Sequence, residues 1–104
     1  MAELTLNHTA VKAIYTVVPK TIYKTIDYPF FSDDDAKMFS KTTGIIERRV
    51  ANANVTASDL CYQAANALLE ELNCRNEIDL LVFVTQSPDY FLPASAAILQ
   101  DKLG

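Results

Sequence analysis

"EIDLLVFVTQS", Glu77 to Ser87, contains five consecutive apolar residues, Leu80 to Val84, flanked by Asp79 and Thr85. A short run that is apolar on both faces reads as a strand covered on both faces, which predicts a central strand of a layered α/β fold. The following "SPDYFLP" is expected as a loop at the carboxyl end of that strand, and "ASAAILQDKL" as a further helix. In open α/β sheets the carboxyl-end loops are where ligands bind.

Upstream lies the clearest helix signal, "TASDLCYQAANALLEELN". Thr56 with Asp59 three residues on forms a capping-box pattern, and Ala57, Leu60, Cys61, Ala64, Leu68 and Leu72 recur at helical spacing. This predicts an amphipathic helix from Ala57 to Leu72 with its small-residue face on a sheet. A shorter helix, Asp33 to Lys41, is predicted in "SDDDAKMFSK", where Ser32 and Asp35 repeat the cap and the acids meet the positive dipole end. Consecutive acids point in different directions on a helix, so Asp33 to Asp35 are expected to cap rather than to bind metal. Gly44 follows where the chain leaves that helix, in the left-handed conformation that glycine adopts without strain. "VKAIYTVV", Val11 to Val18, alternates as a half-buried strand ended by Pro19. "KTIYKTIDYPFF" is expected as a loop with extended pieces.

The chain has 104 residues, half of them apolar and about a fifth charged, which fits one compact domain. Its formal charge is −4 and its nine basic residues are scattered, Arg48–Arg49 being the adjacent pair, so it lacks the basic face that nucleic acid requires. No apolar run has the length of a bilayer span. "MAELTLNHTA" lacks the basic-then-apolar order of a signal peptide, and Cys61 and Cys74 fall in no metal or redox spacing, so a cytoplasmic location with reduced thiols is expected.

The order of segments, "vP" after the first strand, "TGI.ERR", "TasdL...Aa.aLl" and "eiDLlvf.TqspdyflPasA..lq..LG", resembles the amino-terminal part of the β-ketoacyl-acyl carrier protein synthase III family, in the thiolase-like superfamily. The likeness runs from about Ala13 to Gly104. It implies a single partial domain over residues 1–104, the amino-terminal portion of the first half of a thiolase-like fold, with layered helices on a mixed sheet. It further implies a homodimer that transfers an acyl group from coenzyme A and condenses it with malonyl-acyl carrier protein. The acyl-CoA thioester is a substrate there, and no permanently bound cofactor is expected.

In that family the nucleophilic cysteine follows the "LG", and a His and an Asn come later, so no catalytic residue is expected within these 104 residues and the segment alone is expected to be inactive. Cys61, inside its helix on the apolar face, and Cys74, at the helix's C-terminal end, are expected to be structural. His8 precedes the first predicted strand and belongs to no catalytic pattern.

The resemblance also places the coenzyme A contacts. A tryptophan and an arginine that hold the adenine end fall on Met38 and Thr42, neither of which stacks or pairs as those do. Thr43 and Gly44 match the family and keep the turn. Met38 and Phe39 offer a soft apolar wall for a ligand, or simply pack the short helix. Arg48 and Arg49 suit the phosphates of coenzyme A or a carrier's phosphopantetheine arm. In an extended segment they point to opposite sides, and an ion pair with Glu47 or Asp79 is the expected use of one of them. Leu92, before Pro93, corresponds to the residue that reaches across the dimer into the partner's acyl pocket. Beside this stands another reading, a non-catalytic dimerisation or interaction module on the same scaffold.

Overall fold

The computed structural model describes residues 3, 5 and 7–104. Its elements are β1 (Thr21–Lys24), α1 (Asp33–Thr43), β2 (Glu47–Val50), α2 (Ala57–Leu72) and α3 (Ser95–Leu103), with 3-10 turns at Thr25–Asp27 and Arg75–Glu77. β1 and β2 form a two-stranded antiparallel sheet, Thr21 opposite Val50 and Lys24 opposite Glu47. Packing falls into two groups, the β1–β2 sheet with α1 and the first 3-10 turn, and α2 with α3.

The helices start where the sequence directs. Ser32 and Thr56 accept the backbone N–H groups of Asp35 and Asp59, and those carboxylates reach back to the N-cap N–H groups, closing two capping boxes. Asp35 is therefore occupied as a cap, and Asp34 pairs with Lys37 at 3.8 Å. α1 continues two residues beyond the expected Lys41, to Thr43, because the Gly44 N–H still reaches the Ser40 carbonyl at 2.9 Å. Gly44 then ends it at φ 74°, and a Cβ there would meet nothing within 4 Å, so the glycine serves backbone conformation alone.

The strands depart from expectation. Residues 80–84, predicted as a central strand, join no ladder, and neither do residues 11–18. The alternation persists: Leu81, Phe83 and Thr85 are half-buried, whereas Leu80, Val82 and Val84 are 78%, 74% and 88% exposed. A strand is stable only with a hydrogen-bonded neighbour, and among the described residues none lies beside either segment. The sheet that does form takes β1 from the stretch expected as a loop with extended pieces and β2 from the segment of Arg48 and Arg49, which was expected to be extended.

Little apolar surface is enclosed. Among the described residues the buried hydrophobic ones are Ala36, Leu99 and Leu103, joined by the buried polar residues Thr25, Ser58 and Ser95. The radius of gyration is 18.3 Å, against about 13 Å for a compact domain of this length. The compact domain that composition allows is not formed, because the longest apolar run, residues 80–84, joins no sheet and leaves Leu80, Val82 and Val84 exposed. α2 likewise packs on α3 instead of a sheet, which leaves Cys61 exposed and Cys74 half-buried, contrary to the expected burial of Cys61. No described helix is long and apolar enough to cross a membrane.

Candidate functional site

The expected ligand-facing residues cluster where α1 ends and β2 begins. Met38 stands 64% exposed on α1, while Phe39 turns inward against Phe31, ring centroids 5.4 Å apart. Phe31 in turn meets Tyr28 edge-on at 5.1 Å. Only Phe39 packs the helix, so Met38 is left as the free apolar surface of the pair.

Both threonines use their hydroxyls on the helix itself. Thr42 Oγ1 donates to the Met38 carbonyl at 2.8 Å, and Thr43 Oγ1 donates to the Phe39 carbonyl at 2.7 Å. Thr43 Oγ1 also accepts from the Ile45 N–H at 3.2 Å, which fixes the chain after Gly44. Each hydroxyl bonds back to the carbonyl four residues earlier, one that the helix ladder already engages, so both side chains are turned onto α1 itself. Thr42 therefore presents no cation at the position where an arginine was sought.

The two arginines of β2 diverge as the two-residue period of a strand requires. The Arg48 guanidinium lies over the Tyr28 ring, Cζ 4.7 Å from its centroid, and links β2 through Tyr28, Phe31 and Phe39 to α1. Arg49 turns the other way, and its Nη1 donates to the carbonyls of Pro19 at 3.1 Å and Lys20 at 3.4 Å. The expected ion pair with Glu47 or Asp79 does not form; ion pairs among the described residues join Lys37 to Asp34 and Lys102 to Asp59. A planar cation is satisfied by an aromatic face or by carbonyls as well as by a carboxylate, and here those lie nearer.

Sequence reading missed Thr25. It is 1% exposed, its Oγ1 donates to the Ile45 carbonyl at 2.8 Å and its N–H to the Ile46 carbonyl at 2.8 Å. It therefore ties the end of β1 to the turn that follows α1. Nothing in its sequence neighbourhood marks it, since the partners are 20 residues away.

Leu92 belongs to a separate region. Tyr90, Phe91 and Leu92 are 61%, 101% and 86% exposed at the tip of the loop before α3. Nearby, a groove of about 680 Å³ between α2, α3 and residues 78–81 is lined mainly by Leu68, Leu69, Leu81, Ala97 and Leu103. At its edge Arg75 donates to the Leu103 carbonyl and to Asn66 Oδ1, tying the end of α3 to α2. His8 is exposed ahead of all these elements. The structure thus brings Met38, Thr42, Thr43 and Arg48 onto one connected unit, and sets Arg49 on its opposite side.

No protein-family model matches the chain. It is 38% identical over 88 residues to a β-ketoacyl-[acyl-carrier-protein] synthase III of Syntrophomonas wolfei, covering 84% of this chain and 26% of that protein. A synthase of the same name from Campylobacter jejuni subsp. doylei is 36% identical over 97 residues, with 91% of this chain and 30% of the relative covered. The crystal structure of a 3-oxoacyl-(acyl-carrier protein) synthase from Burkholderia xenovorans superposes with a TM-score of 0.76 at 34% identity, over 86% of this chain and 27% of that one. The chain spans between a quarter and a third of the length of these two curated relatives.

Proposed function

Because the chain carries a segment of the β-ketoacyl-[acyl-carrier-protein] synthase III family in a partial thiolase-like fold, we propose that it is the amino-terminal part of an acyltransferase condensing an acyl-CoA with malonyl-acyl carrier protein. The reaction forms a carbon–carbon bond in fatty-acid or related acyl-chain assembly. One observation carries this reading: sequence likeness and backbone superposition extend together over more than four fifths of the chain.

In this reading the end of α1 and the start of β2 form the entrance for the thioester's coenzyme A or phosphopantetheine arm. Met38 supplies an apolar wall, Thr42 and Thr43 hold the turn, and Arg48, anchored on Tyr28, supplies a cation at the start of β2. The hydroxyls and Arg49 are already engaged with backbone carbonyls, so the adenine end is gripped less firmly than by an arginine and a tryptophan. Leu92 on its exposed loop supplies the dimer contact that bounds the acyl pocket, and the homodimer covers part of the apolar surface left open here. A cytoplasmic setting suits the two free thiols.

Cys61 lies inside α2 and Cys74 follows its C-terminus, ahead of a single 3-10 turn; neither occupies the α-helix N-terminus that stabilises a nucleophilic thiolate. The chain itself is therefore inactive. Intact-mass measurement after incubation with an acyl-CoA checks this: the 104-residue chain stays unmodified, while the full product of its gene takes up one acyl group. An adduct on Cys61 or Cys74, or no uptake by the full product, overturns the assignment.

A second reading, a non-catalytic interaction module, draws on the exposed apolar loop 90–92 and on Met38 and Thr42. It requires a defined dimer of the chain in analytical ultracentrifugation together with no acyl uptake by the full gene product.

A further inference from the structure

The loop that carries Tyr90, Phe91 and Leu92 into solvent is fastened at its base. Asp89 Oδ2 accepts from Ser58 Oγ and, at 3.3 Å, from Thr56 Oγ1, bridging 31 and 33 residues of sequence. Both donors are held by α2: Thr56 is its N-cap and Ser58 is fully buried in its first turn. The carboxylate consequently sits at the N-terminal end of a 16-residue helix, where the dipole favours an anion.

The rest of the loop offers no comparable anchor. Asp89 Oδ1 is buried without a hydrogen-bond partner, so its side-chain attachment passes through Oδ2. Ser95, on the far side of the loop, is 5% exposed and its Oγ is likewise unpartnered. The Ser87 N–H bonds only locally, to Thr85 Oγ1 at 3.0 Å.

We infer that Asp89 is the positioning residue of the 90–92 tip: its carboxylate, held by Ser58 and Thr56, sets where Phe91 and Leu92 stand. That this tip meets an acyl chain rests on the synthase reading; the clamp does not. The role is indirect: Asp89 acts through the loop it holds.

Limited chymotrypsin digestion of the full 104-residue chain tests it, as the ratio of cleavage after Phe91 to cleavage after Phe30. Phe30 is 83% exposed and belongs to the other packing group, so it serves as an internal reference. Asp89→Leu removes the acceptor and raises the ratio about tenfold, as loss of a hydrogen bond to a charged group should. Asp89→Asn keeps an acceptor oxygen and holds the ratio within about twofold. Ser58→Ala raises it as Asp89→Leu does, and the double variant adds nothing further. An unchanged ratio in Asp89→Leu, including one where both cuts accelerate together, overturns the inference, as does an Asn variant as labile as the Leu variant. Because no acyl readout enters, failure of the synthase reading leaves this result standing.

Discussion

The guanidinium of Arg48 rests on the ring of Tyr28, Cζ 4.7 Å from the centroid, while its neighbour Arg49 points to the other side of the strand and binds the Pro19 and Lys20 carbonyls. Adjacent arginines of one strand thus perform unrelated tasks, one joining β2 to α1, the other fastening β1's lead-in to β2.

The two should separate by mutation. Arg48→Ala is expected to cost about 1 kcal/mol, from the lost cation–π contact and the packing of its stem on Tyr28. Tyr28→Leu should make that loss disappear in a double-mutant cycle, whereas Arg49→Ala should remain additive with Tyr28→Leu. Urea unfolding followed by circular dichroism measures all the variants.

Gly44 should tolerate side chains only at a conformational cost. At φ 74° with open space around it, Gly44→Ala is expected to destabilise by about 1–2 kcal/mol, and Gly44→Asn by less, because asparagine visits the left-handed region more readily. A steric origin would reverse that order, and comparison of thermal midpoints distinguishes the two.

Thr25→Val keeps the shape but removes the donor to the Ile45 carbonyl, which then loses its partner at a partly buried site. A loss of about 1–3 kcal/mol is expected. Thr25→Ser, which retains the hydroxyl, should recover most of it in the same unfolding measurement.

Both capping carboxylates are held below the ordinary value of 3.8, Asp35 by the hydroxyl and backbone N–H of Ser32, and Asp59 by the Thr56 backbone N–H, then Lys102 and the Thr56 hydroxyl. A carboxyl lowered by folding stabilises above its unfolded value and loses that contribution as pH falls through the folded one. Helical signal is therefore expected to hold down to about pH 4 and to fall below it. Asp35→Asn and Asp59→Asn should each flatten that acid-side drop, and a titration followed at 222 nm shows whether they do.

Local chemistry was legible in residues that answer only to their neighbours. Ser32 with Asp35 and Thr56 with Asp59 are three residues apart, and Gly44 follows directly on its helix, so α1, α2 and the exit from α1 could be read in place. The opposed directions of Arg48 and Arg49 follow from strand period alone. Their partners did not: Tyr28, Pro19 and Lys20 lie 20 to 30 residues upstream, and nothing in composition distinguishes an aromatic face from a carboxylate as the destination of a cation.

By itself, then, the sequence determined the helices, their caps, the turn at Gly44 and, through the order of its segments, the family likeness. Tertiary structure decided which extended segments become strands and which polar groups become anchors. Residues 80–84 have the composition of a central strand yet stay unpaired, while the less apolar β1 and β2 pair, because a ladder needs a neighbour in space as well as a propensity in the chain. Thr25 and Asp89 acquire their roles in the same way, from partners that only the fold brings within hydrogen-bond reach.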